Sequence, residues 1–112
     1  MKTIKVSEAT ELQLDWAVAT CEGYSASISE SGEVIIMREG VVDYFDPHRN
    51  WGWGGPIIER EGINIYRMTS DWSAAYNPSG ATQDGPTSLI AVMRCYVSNC
   101  LGSEVEVPEE LL

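Results

Sequence analysis

The sequence predicts a single α+β domain: a small antiparallel sheet packed on one face by an N-terminal and a C-terminal helix, with a short central helical turn. Three observations carry this. Apolar residues recur at helical spacing only near the two ends, whereas short β-branched or alternating runs punctuated by glycine fill the middle. Strands segregated from helices in this way give α+β rather than α/β architecture. The chain has 112 residues, 44% of them hydrophobic, which is room for one core and too apolar for disorder despite a net charge of −10.

The elements follow in order. Ser7 is expected to cap a helix running to about Glu22, with Glu8 and Glu11 favourably placed in its first turn. Leu12, Trp16 and Ala19 form its predicted apolar stripe, and Gly23 supplies a left-handed terminus. Tyr24 to Ile28 alternates weakly; EVIIMR (33–38) and VVDYF (41–45), joined by Glu39-Gly40, predict a hairpin. Asp46 to Gly55 reads as a loop, Pro56 as the first residue of a short helical turn, and Gly62 as its end. INIYRM (63–68) is the third main strand, and Thr69 to Gly85 a long irregular stretch of the kind that carries function. The last helix starts near Pro86-Thr87 and ends at Gly102, with Leu89, Met93, Tyr96 and Cys100 at helical spacing. Residues 1–102 thus form the domain. Residues 103–112 form an acidic tail whose Val105 and Val107 suit it to pack as an edge segment.

Charge and cysteines narrow the function classes. With 17 acidic against 7 basic residues, direct nucleic-acid binding is not expected, since neutralising phosphates needs clustered cations. No apolar run is long enough for a membrane span, and the first residues lack the apolar core of a secretory signal. Cys21, Cys95 and Cys100 are odd in number and lack paired spacing, so they read as reduced thiols and small core residues. With His48 the only histidine, neither a metal nor any other cofactor is implied. No nucleophile elbow, phosphate loop or zinc-protease helix is present, so an enzyme is not expected.

The unusual feature is Trp51-Gly52-Trp53-Gly54-Gly55, two indoles in a glycine run. The plain reading is one indole plugging the core while the glycines turn. The functional reading is an aromatic wall for a planar ligand, with backbone N–H groups offered to an anion. Every cation beyond Lys5 is an arginine, the side chain suited to forked anion recognition. Trp51, Gly54, Gly55, Arg60, Arg67, Trp72 and Arg94 are the candidate lining of a pocket for a nucleotide-like anion. Arg94 is expected to pair with a carboxylate such as Glu59 or to face the ligand.

The segments MKTIKVSEATELQLDWAVATCEG (1–23), WGWGGPIIEREGI (51–63), GPTSLIAVMRCYV (85–97) and VPEEL (107–111) resemble the NinX-like family. Its members are small proteins of lambdoid and related tailed phages and prophages, encoded among accessory genes. The resemblance implies a phage setting and the cytoplasm of a bacterial host, and it brings no established activity. In that setting the leading expectation is a non-catalytic protein that sequesters a nucleotide-derived signal of host immunity. The competing expectation is an acidic inhibitor of a host nucleic-acid-binding protein, presenting its Glu104–Glu110 carboxylates in place of DNA phosphates. A third is a homo-oligomer that buries Trp53 and Trp72 at a subunit interface.

Overall fold

The computed structural model describes residues 1–112. Its two ends are joined by one strand pair: β1 (Lys2–Lys5) runs antiparallel to β8 (Glu104–Val107), with Lys5 opposite Glu104 and Lys2 opposite Val107. Val105 and Val107 turn inward into the core, while Glu104 and Glu106 face solvent. The final residues therefore do not dangle. Both lysines of the chain lie across from this acidic strand.

Helix α1 (Glu11–Glu22) is capped by Thr10 rather than Ser7, which lies in a short 3-10 turn over Val6–Glu8. Thr10 Oγ1 accepts from the Gln13 N–H at 3.4 Å, and Gln13 Oε1 accepts from the Thr10 N–H at 3.0 Å, a reciprocal capping box. Gln13 Nε2 also donates to the Leu111 carbonyl at 3.0 Å, tying the closing turn to α1. The buried face of α1 is Gln13, Leu14, Asp15, Ala17, Val18 and Ala19; of the expected stripe, Leu12 is exposed and Trp16 half-buried. The inward direction is set by packing on the C-terminal helix.

Strands β2 (Ala26–Ile28), β3 (Val34–Arg38) and β4 (Val41–Tyr44) form the expected hairpin with one further antiparallel neighbour. Glu39 and Gly40 both have positive φ, 51° and 79°, the two-residue turn that matches strand twist. Helix α2 spans Trp51–Glu61. The glycine run is helix, not loop, and Pro56 lies inside it rather than at its first position. Asn50 is the true cap, its Oδ1 accepting from the Gly52 N–H at 2.8 Å. Tertiary packing overrides the low helix propensity of glycine here. Gly54 is buried, and a β-carbon on it would stand 2.6 Å from Leu89 Cδ2 of the C-terminal helix.

The stretch expected to be irregular, Thr69 to Gly85, contains two strands. β6 (Trp72–Ala75) and β7 (Gln83–Gly85) join β5 (Asn64–Arg67) in a second three-stranded antiparallel sheet. Ser73, Ala74 and Ala75 are buried. Small side chains let β6 lie close to the helix behind it, which is why the segment lacks an alternating apolar signal. That helix, α3 (Ser88–Leu101), is capped by Thr87, and Leu89–Met93 and Cys95–Val97 are all buried. The α+β class holds, with its strands divided among three small sheets rather than gathered in one.

β7 approaches the α3 backbone closely: a β-carbon at Gly85 would stand 2.7 Å from the Ala91 nitrogen, 2.9 Å from Ile90 Cγ2 and 3.1 Å from the Ile90 carbonyl carbon. Backbone cannot give way as a side-chain tip can. Gly85→Ala should destabilise the fold by about 1–3 kcal/mol in urea unfolding, the cost of overpacking.

Candidate functional site

All three helices start at the same end of the molecule. Glu11, Trp51 and Ser88, the first residues of α1, α2 and α3, line one cavity of about 330 Å³ together with His48, Arg49 and Thr87. The helices also finish together: Arg60 near the end of α2 reaches Glu22 at the end of α1 and Tyr96 on α3. Parallel helices add their dipoles, so the partial positive charges of three N-termini gather around this cavity.

His48 is the keystone of the cavity wall. Asp15, 1% exposed on the buried face of α1, accepts the His48 backbone N–H on Oδ1 at 3.1 Å and faces His48 Nδ1 with Oδ2 at 2.7 Å. One carboxylate thereby fixes both the chain and the ring of the segment that leads into α2. The other ring nitrogen, Nε2, lies 3.2 Å from Glu11 Oε2 at the cavity. Burial alone lowers an imidazole's proton affinity, but Asp15 and then Glu11 outweigh it and hold His48 above its ordinary value. Burial holds the Asp15 carboxyl above its ordinary value against the pull of His48. Arg49 stands beside the pair, exposed, its Nε bonded to Asp46 Oδ2 at 2.9 Å. Trp51 is 54% exposed.

The seven residues expected to converge do not meet in one cavity. Trp51 lines the cavity just described, and about nine helical residues, some 13 Å, separate it from Arg60. Arg60 is spent within the chain: Nη1 and Nη2 grip the Glu22 carboxylate at 3.2 and 2.7 Å, Nε bonds Glu61 Oε2 at 3.0 Å, and Nη2 reaches Tyr96 Oη at 3.1 Å. Burial raises the Glu22 carboxyl, but the bonds from Arg60 and Tyr96 more than offset this and hold it below its usual range. Arg67 lies over the Trp72 ring at 5.2 Å and donates to the Asp71 carbonyl at 2.9 Å. Arg94 pairs with neither Glu59 nor any other carboxylate. Its Nη1 donates to the Asp84 carbonyl at 2.8 Å and its Nη2 to the Ala9 carbonyl at 3.0 Å, binding β7 to the approach of α1. It borders a separate polar cleft of about 540 Å³. Gly54 is a packing glycine, and Gly55 has no neighbour where a β-carbon would stand. Trp53 packs edge-on against Phe45 at 5.0 Å beneath Arg38, and its Nε1 donates to the Tyr44 carbonyl.

Of the cavity residues only Trp51 is legible as a site from sequence. Glu11, His48, Arg49, Thr87 and Ser88 come from three separate segments, with Asp15 behind His48. The available signal was a charged residue between Leu14 and Trp16 in a helix, with a single histidine elsewhere to satisfy it.

Fold and site together define a small α+β domain with a mixed polar and aromatic cavity where three parallel helices begin. None of its helices is long and apolar enough to cross a membrane. The profile of the family described as Bacteriophage P22, NinX matches residues 5–99, and the chain belongs to that phage family. The matched span contains every residue of the cavity wall. A search of curated proteins gives no match.

The Asp15–His48 pair sets the stability profile. An imidazole held above its ordinary 6.5 stabilises the fold below that pH and gives up the contribution as pH rises through its folded value. Asp15, raised above 3.8, acts in the same direction, because its ionised form is the one that burial penalises. Glu22, held below 4.5, loses its contribution as pH falls. Thermal stability should therefore peak on the mildly acidic side of neutrality and decline on the alkaline side, with His48→Gln flattening the alkaline decline. Asp15→Ala, which leaves buried donors without an acceptor, should cost about 3–5 kcal/mol in urea unfolding.

Proposed function

We propose that the chain is a non-catalytic phage protein that holds a small, flat anion of nucleotide type in the cavity where the three helices begin. The observation that carries this reading is the meeting of three helix N-termini at one opening in a chain of net charge −10. Each N-terminus contributes roughly half a positive charge, concentrated within its first turn. Arg49 adds a guanidinium, and the exposed Trp51 indole offers a face for a planar ring. A volume of about 330 Å³ is at the small end of ligand sites and suits one nucleotide unit rather than an oligomer.

Glu11 is the cavity's resident anion. Its side chain is 65% exposed and satisfies His48 Nε2. An incoming phosphate takes its place on that nitrogen while Glu11 swings into water at little cost. Acting in the host cytoplasm, a protein of this kind would withdraw a nucleotide signal from host defence. Arg60, Arg67 and Arg94 support the scaffold in this reading and do not touch the ligand. Inhibition through a free acidic tail has less support, because Glu104–Val107 is a paired strand.

Calorimetry against a panel of linear and cyclic nucleotides tests the proposal. One class should bind, with Trp51→Ala and Arg49→Ala each weakening affinity at least tenfold and Arg60→Ala leaving it unchanged. An absence of heat from the whole panel at high protein concentration would overturn the reading.

A further inference from the structure

At the end of the molecule opposite the cavity, two cysteines far apart in sequence come together. Cys21 lies in the last turn of α1 and Cys100 in the last turn of α3. The residues around them hold these turns side by side. Tyr96, one helical turn before Cys100 on the same face, donates its hydroxyl to Glu22 Oε2 at 2.5 Å, and Glu22 directly follows Cys21. Thr20 and Leu101, the neighbours on the other side, line one shared cavity. Cys100 stands near enough to Cys21 to add to the rise in its proton affinity that burial causes. Both are free; Cys100 is exposed, Cys21 half-buried, and Cys95 buried. The exposure of Cys100 departs from the core role expected of it.

We propose that Cys21 and Cys100 form a site of reversible two-electron oxidation by a peroxide. The exposed Cys100 sulfur attacks one peroxide oxygen, becoming a sulfenic acid as the O–O bond breaks and water departs. The Cys21 sulfur then attacks the Cys100 sulfur; the S–S bond forms, the S–O bond breaks, and the oxygen leaves as a second water carrying the Cys21 proton. Two thiols and one peroxide become one disulfide and two waters. Burial pushes the Cys21 thiol up, so it stays protonated at rest and Cys100 is the sulfur that meets the oxidant first. The bridge would tie α1 to α3 across most of the chain length, a long loop and therefore a strong restriction of the unfolded state.

The test uses the full chain treated with a small excess of hydrogen peroxide, then unfolded, alkylated and weighed. The expected product is a monomer that has lost two hydrogens and takes up one alkyl group, at Cys95. Its digest contains a peptide joining the Cys21 and Cys100 segments. Its thermal midpoint is higher than that of the reduced chain and returns on addition of dithiothreitol. Cys95→Ser should keep the bridge, whereas Cys100→Ser, a surface change that leaves the fold intact, should abolish it and leave Cys21 alkylatable. Oxidation of Cys100 to sulfinic acid, or its linkage to a second copy while Cys21 still alkylates, would overturn the proposal.

Discussion

A carboxylate sealed inside the protein holds the working end together. Asp15 is 1% exposed on the buried face of α1, and it has two donors from a single residue, the backbone and ring of His48. A lone buried charge would be costly, and this one is compensated by the segment that must be positioned. Once His48 is docked, Asn50 two residues later caps α2, and Trp51 opens at the cavity rim. The placement of α2 against α1 is thus an electrostatic decision as much as an apolar one.

Three parallel helices concentrate charge at both of their ends, and the sequence answers each end differently. At the N-termini the negative groups Glu11 and Asp15 are drawn onto one imidazole. The C-termini, partially negative, would repel Glu22 at the end of α1; Arg60 in the last turn of α2 neutralises it and bonds Tyr96 on α3 in the same gesture. Arg60 is therefore a strut. Arg94 plays a comparable part for backbone, reaching two carbonyls on segments that no strand pairing joins.

How far the sequence reveals this depends on whether a signal is local. The hairpin at Glu39-Gly40, the left-handed ends at Gly23 and Gly62 and the extent of α3 are written in adjacent residues and are read correctly. Thr10 and Gln13 also spell a local cap, passed over in favour of Ser7. The glycine run at 51–55 misleads because its glycines serve helix packing, as Gly54 against Leu89 makes plain, and not a turn. β6 and β7 escape notice because the buried residues of β6, Ser73, Ala74 and Ala75, are small ones that allow closeness to α3. The arginines and indoles stand out in the sequence, but which carboxylate or carbonyl each one meets is a long-range matter. Glu22 and Arg60 are a salient case, partners across three intervening strands.

The account turns on the state of one imidazole, and the chain holds only one. An NMR titration of the His48 ring reads it directly. The account predicts a midpoint above the ordinary histidine value, a ring proton on Nδ1 directed at Asp15, and a lower midpoint in Asp15→Asn. A midpoint at or below the ordinary value, unmoved by that substitution, would contradict it.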